Sequence, residues 1–184
     1  SEDVEMRTLL TCLILLGFST AQADIAVLVH GYHSSGATWR SSGVLNTMAH
    51  QGWTDIGDYF APPAGFRRIG PQAGGKQMIT TVDLPSEAPV VLQSSLLSGY
   101  LKQISSDFPD QQIILIGHSA GGVVARHSQV TNPDAKVTSV ITLASPHLGT
   151  ASAEVGALAS DSPLGVVAPA MGLDTINRSR TLYE

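Results

Sequence analysis

The chain is 184 residues long, 43% hydrophobic and 14% charged, which is enough apolar material for one globular domain with a substantial core. Its formal net charge is −5, and no basic cluster is longer than Arg67-Arg68, so the composition argues against nucleic acid and against electrostatic attachment to anionic lipid. The one cysteine, Cys12, excludes any disulfide within the chain.

Met6-Arg7, the short apolar run Thr8 to Phe18 and the small-x-small ending Ala21-Gln22-Ala23 have the pattern of a secretory signal peptide. The apolar run is too short to span a bilayer comfortably. Cleavage is expected after Ala23, with Asp24 as the mature terminus, and with it Cys12 is lost. Residues 1–23 are therefore set apart as upstream residues plus leader, with Met6 as the natural start, and 24–184 as the domain. A secreted or periplasmic location in a bacterium is expected.

Ile25-Ala26-Val27-Leu28-Val29 reads as a buried strand that stops at His30-Gly31-Tyr32. The small, polar stretch His33 to Ala37 is loop, and one helix is expected to begin at Thr38 or Ser41. Trp39, Val44, Leu45 and Met48 would face inward, and Gly52 would stop it. Gly31 permits a tight turn at the end of this strand, and the amide of Tyr32 follows it. The His30 side chain is read as a scaffold for that loop rather than as a proton carrier. Residues 52–75 are the least legible and suggest one irregular strand with a surface excursion.

Gln77 to Val82 reads as a further strand, and Ser86-Glu87-Ala88-Pro89 leads into a long helix. On this helix Leu92, Leu96, Leu97, Leu101, Ile104 and Phe108 are expected inside, with Ser94, Ser95, Ser98, Lys102 and Ser105 outside. Gln112 to Ile116 reads as a fully buried strand. It runs into Gly117-His118-Ser119-Ala120-Gly121-Gly122 and then a helix whose face carries Val123, His127 and Val130. Strand, tight turn and helix is the setting in which Gly-x-Ser-x-Gly forms a nucleophile elbow. The serine there adopts a strained backbone, so Gly117 and Gly121 supply neighbours without side chains. The amides of Tyr32 and Ala120 are the two donors that an acyl oxyanion would require.

Asn132-Pro133-Asp134 is a turn, and Val137 to Leu143 is another strand, leading into Ser145-Pro146-His147-Leu148-Gly149. Residues 151–172 suggest short helices or a loop over the mouth of the site. Strands alternating with helices imply an α/β fold: a mainly parallel sheet, right-handed crossovers and helices on both faces. Tyr32 and Ser119 both follow strand carboxyl ends, where such a sheet presents its ligand site. The histidines at 30, 33, 50, 118, 127 and 147 show no ligand spacing, and neither metal nor cofactor is expected.

Three segments carry a resemblance: Val29-His30-Gly31-Tyr32 with Ser34-Ser35-Gly36, Ile116 to Gly122, and Leu143 to Thr150. From Asp24 to about Thr150 the chain resembles the α/β-hydrolase superfamily, and within it the secreted bacterial lipases and esterases. The resemblance implies an ester hydrolase acting through an acyl ester of Ser119, on an ester or lipid substrate, compatible with contact at a lipid interface. Oligomeric state is left open. It also implies that His147 neighbours the site without being the catalytic histidine.

The family order is nucleophile, acid, histidine, and no histidine follows His147. The acid and histidine are accordingly expected outside this sequence, with Asp161 and Asp174 as weak acid candidates inside it. The fold is expected to be incomplete at its carboxyl end and the piece as given to be inactive. An amidase, thioesterase or transacylase shares the same elbow. A non-catalytic binding module on this fold is the alternative from a different class, and the intact Gly-x-Ser-x-Gly argues against it.

Overall fold

The computed structural model describes residues 24–61, 63, 65–71 and 74–149. The leader and the segment holding Asp161 and Asp174 lie outside the described residues.

The elements in chain order are β1 (Asp24–Val29), α1 (Gly36–Ser41), α2 (Val44–His50), β2 (Thr54–Phe60), β3 (Arg67–Ile69) and β4 (Gln77–Val82). They continue with α3 (Val90–Asp107), β5 (Gln112–His118), α4 (Ala120–Thr131) and β6 (Val137–Leu143). The six described strands lie in the order β3-β2-β4-β1-β5-β6. All neighbours are parallel except the short β2–β3 pair. β1 is flanked by β4 and β5 in unbroken register, Val29 opposite both Val82 and Gly117. The carboxyl ends of the three strands therefore finish at one level, and the loops that follow them meet there.

Alternation along β1 divides the core in two. Ile25, Val27 and Val29 join Ile113 and Leu115 of β5 beneath α3 and α4, where Leu97, Tyr100, Leu101, Ile104, Val123 and Val124 pack against them. Ala26 and Leu28 point to the opposite face with Ile79, and Leu45 of α2 covers them together with the partly buried Trp39, Val44 and Met48. Each fully buried aliphatic side chain in these layers contributes about 1.5–3 kcal/mol. The sheet thus has helices on both faces.

Several local expectations need correction. The single helix after the first loop is two, because the backbone turns left-handed at Gly43 (φ 79°) between α1 and α2. The described residues between 52 and 75 form two strands rather than one; β2 carries an irregularity between Asp55 and Asp58 where it pairs with β4, and β3 folds back on it.

On α3, Leu97, Leu101 and Ile104 are buried and Leu96 and Phe108 partly so, as expected, but two positions differ. Leu92 is 50% exposed while Ser94 is buried, because Ser94 faces α4 and donates its hydroxyl to the Val124 carbonyl at 3.3 Å. On α4 itself, Val123 and His127 are buried but Val130, near the helix end, is exposed. β5 is not buried on both faces: Ile113 and Leu115 are covered, while Ile114 and Ile116 are only partly so. β6 forms one edge of the described sheet, with Val140, Ile141 and Leu143 exposed.

One ionic network joins the layers. Arg40 of α1 donates from Nε to both oxygens of Asp58, at 2.9 and 3.0 Å, and from its terminal nitrogens to Asp55. The Thr81 hydroxyl donates to Asp58 and the Gly57 amide donates to Asp55, so the irregular part of β2, the neighbouring β4 and α1 share one cluster. Burial pushes the Asp55 carboxyl up, but the Arg40 hydrogen bond, the Gly57 amide and the Arg40 charge together outweigh it and hold it below the usual value.

A depressed carboxylate contributes stability that is complete above its unfolded value, about 3.9, and is lost as pH falls through the folded value. Thermal denaturation followed across pH should therefore show the protein weakening below about pH 4. Arg40→Ala should cost about 1–2 kcal/mol at pH 7 and flatten this acid limb. An unchanged acid limb in Arg40→Ala would remove the network from the account of stability.

Candidate active site

The junction of β5 and α4 places a non-glycine residue in a backbone region that side chains rarely enter. Ser119 has φ 53° and ψ −128°, a conformation that costs about 1–3 kcal/mol and persists only when its surroundings over-determine it. The surroundings here are explicit. The Ser119 amide donates to the Leu143 carbonyl at the end of β6 at 2.9 Å, and the Ser119 carbonyl accepts from the Gly122 amide at 3.1 Å.

Two glycines make the turn sterically feasible. A methyl group on Gly117 would lie 2.5 Å from the Gly122 Cα, and one on Gly121 would overlap the His30 and Val29 carbonyl oxygens. The elbow is therefore pressed against the end of β1, and the helix begins in direct contact with the sheet.

The loop leaving β1 runs beside the serine. A methyl on Gly31 would sit 3.0 Å from Ser119 Cβ and 3.5 Å from its Oγ. Tyr32 follows Gly31, and neither the Tyr32 amide nor the Ala120 amide has an acceptor among the described residues.

His30, at the root of this loop, is 2% exposed. Its Nε2 accepts from the Leu84 amide at 3.0 Å, which leaves the proton on Nδ1, and Nδ1 lies 3.1 Å from the Gly31 carbonyl. Both ring nitrogens are thus engaged with backbone. At the far end of the loop, the Gly36 amide that opens α1 donates to Asp83 Oδ1 at 2.9 Å. Between them His33 pairs with Glu87 at 3.0 Å on the surface.

After β6, Ala144 takes a positive φ of 50° and the chain turns through Ser145-Pro146-His147. Ser145 packs so closely on the amino end of α4 that a methyl on Gly122 would overlap its hydroxyl. His147 Nε2 lies 3.1 Å from the Thr142 hydroxyl, and burial, then the Arg126 charge, keep its imidazole below the ordinary value. His127 is 8% exposed and is also lowered, by burial.

Of the other histidines, His50 lies at the end of α2, and the exposed His118 meets Trp39 edge-on, ring centroids 6.2 Å apart. His118 and Trp39 border a largely apolar cleft of about 230 Å³, with Gly31, Ser34, Thr38 and Val44. Among the described residues no three His, Cys, Asp or Glu side chains are grouped to hold a metal ion.

The elements expected at the site, Gly31-Tyr32, Gly117 to Gly121 and the Ser145-Pro146-His147 turn, therefore converge at one end of the sheet. The weak acid candidates Asp161 and Asp174 lie outside the described residues. Sequence reading missed Asp83, Leu84 and Glu87. Only Asp83 carried a signal: a carboxylate directly after a buried strand in a parallel sheet stands at the ligand-binding end.

The parallel sheet, the helices on both faces and a strained serine between the interior strand β5 and its helix decide the fold. It is that of the α/β hydrolases. Residues 88–157 match the family model described as a PGAP1-like alpha/beta domain. No curated protein sequence matches the chain.

Among solved structures, the α/β-hydrolase fold superposes on the product of gene lin2722 from Listeria innocua with a TM-score of 0.59 and 17% identity, covering 70% of this chain and 53% of that one. It superposes on the mature Bacillus licheniformis lipase BlEst2 with a TM-score of 0.59 and 20% identity, covering 89% and 60%. The metagenomic carboxyl esterase MGS0156 gives a TM-score of 0.51 and 20% identity, covering 91% and 46%. The chain thus matches only about half the length of these structures.

The packing at the elbow gives a direct prediction. Gly121→Ala should lower the melting temperature by roughly 5–10 °C or prevent folding, because backbone carbonyls of β1 cannot move aside for the methyl. Differential scanning calorimetry checks this, and a melting temperature within 1–2 °C of the parent, about the size of experimental scatter, would contradict the described contact.

Proposed function

We propose that the protein is a serine ester hydrolase of the lipase and carboxylesterase kind, exported after cleavage behind Ala23, with Ser119 as nucleophile. The observation that carries this reading is the left-handed backbone of Ser119 at the β5–α4 junction, with the loop after β1 so close that a methyl on Gly31 would lie 3.5 Å from its hydroxyl. A serine that merely capped a helix would take ordinary extended angles, and nothing would be gained by the strain.

In this mechanism Ser119 Oγ attacks the ester carbonyl carbon. The new Oγ–C bond forms as a base accepts the hydroxyl proton, and the carbonyl oxygen becomes an oxyanion held by the Tyr32 and Ala120 amides. Collapse breaks the bond to the leaving alcohol, which takes the proton from the protonated base. Water then attacks the acyl-serine, gives up a proton to the same base, and releases the carboxylic acid as Oγ is reprotonated.

Among the described histidines, His30 engages backbone through both ring nitrogens and His147 Nε2 lies against the Thr142 hydroxyl. The base and the acid that orients it are, as the family resemblance implies, a histidine and an acid expected outside this sequence, with Asp161 and Asp174 as weak acid candidates inside it. An ester or lipid substrate follows from the same reading, and the lipase and carboxyl esterase among the structural neighbours support it.

Labelling of the complete parent protein with a fluorophosphonate, followed by peptide mapping, tests the assignment. The label should map to Ser119, and Ser119→Ala should abolish labelling and lower turnover of a short-chain p-nitrophenyl ester by at least about a thousandfold. Undiminished labelling or turnover in Ser119→Ala would overturn it.

A further inference from the structure

The loop that carries the Tyr32 amide is clamped at both ends by two consecutive residues of the turn after β4. At its root, the Leu84 amide donates to His30 Nε2 at 3.0 Å, which commits the His30 proton to Nδ1, 3.1 Å from the Gly31 carbonyl. At its far end, the Gly36 amide donates to Asp83 Oδ1 at 2.9 Å. The turn is itself anchored: the buried Tyr100 hydroxyl donates to the Asp83 carbonyl at 2.6 Å, and burial, then the Asp83 charge, push that hydroxyl up to about 12, so it stays a donor.

A trans peptide is planar, with its C=O and N–H pointing in opposite directions, and the described chain has no cis bond. Holding the Gly31 carbonyl against the His30 ring therefore fixes the direction of the Tyr32 N–H, since both belong to one peptide unit. The five residues from Gly31 to Ser35 make no helix or strand. The two clamps hold the peptide planes at the ends of this segment, and a rotated Gly31–Tyr32 peptide would present a carbonyl where a donor is required.

We infer that Asp83 and His30 are positioning residues that set the orientation of the Tyr32 amide toward the oxygen developing on the substrate, Asp83 through Gly36 and His30 through Gly31. Neither touches substrate. The role rests on the nucleophile reading of Ser119 given above. An amide held in place beforehand stabilises the tetrahedral state and not the bound ester, so its loss belongs in kcat rather than KM.

The test uses the complete parent protein, which carries the base, with an ester substrate and an alkyl boronic acid, which adds to a serine hydroxyl and carries a tetrahedral oxygen into the oxyanion position. Asp83→Ala, which removes the acceptor of the Gly36 amide, should lower kcat by about tenfold or more with KM within about twofold, and should weaken boronic acid inhibition by the same factor. Asp83→Asn keeps a carbonyl oxygen at that position and should restore most of both.

If Asp83→Ala does not fold, Asn and Gln carry the test. The extra methylene of Gln displaces the acceptor, so its kcat should fall about tenfold below that of Asn. A variant that loses melting temperature but keeps parental kcat and boronic acid affinity would overturn the inference, as would equal kcat in the Asn and Gln variants. Ser119→Ala is run beside them. Turnover that survives in it overturns the nucleophile reading and this inference together, whereas Ser119-dependent turnover that is indifferent to Asp83 overturns this inference alone.

Discussion

The structure depends on one steric constraint, the left-handed backbone at Ser119. A serine at φ 53° is unfavourable by itself, and it is kept there because the alternatives are blocked on all sides. Gly121 rests on the carbonyls of Val29 and His30, Gly117 rests on Gly122, and the Leu143 carbonyl takes the Ser119 amide. Those contacts come from three parallel strands whose ends lie level, which is why β5 sits between β1 and β6 and not at an edge. The two-sided core of β1 follows from the same requirement, since a strand that braces the elbow on one face must be held by helices on both.

A second layer of organisation acts on the loop beside the serine. Its links are hydrogen bonds between backbone and a few polar side chains, His30 and Asp83 above all, and they lie where the sheet delivers its loops. Farther out, Arg40 binds Asp55 and Asp58 and so fastens α1 to β2. α1 begins at Gly36, the residue whose amide Asp83 accepts. The same short helix is therefore tied at its first residue to the turn after β4 and near its last turn to the irregular part of β2.

What was legible in the sequence was whatever local pattern decides. The runs Ile25 to Val29, Gln77 to Val82 and Gln112 to Ile116 are rich in β-branched residues, and each lies in a strand. The elbow was legible because Gly-x-Ser-x-Gly has meaning only between a strand and a helix, and both flanks could be read. Hydropathy placed most of the inner face of α3 but misjudged two positions, where Ser94 is buried and Leu92 exposed, because a small hydroxyl that bonds the Val124 carbonyl suits a close helix pair better than leucine does. β3 was missed because a three-residue antiparallel partner leaves almost no periodicity. The clamps of Asp83 and Arg40 span 47 and 15 or 18 residues of sequence, and no local window contains both partners. Asp161 and Asp174 lie outside the described residues, so the acid of the site stays where the sequence reading left it.

The most direct measurement is a crystal structure of the protein after reaction with a short alkyl phosphonate. The account predicts a covalent bond from phosphorus to Ser119 Oγ and a phosphoryl oxygen within about 3.1 Å of both the Tyr32 and Ala120 nitrogens. An adduct on another residue, or a phosphoryl oxygen turned away from these two amides, would contradict it.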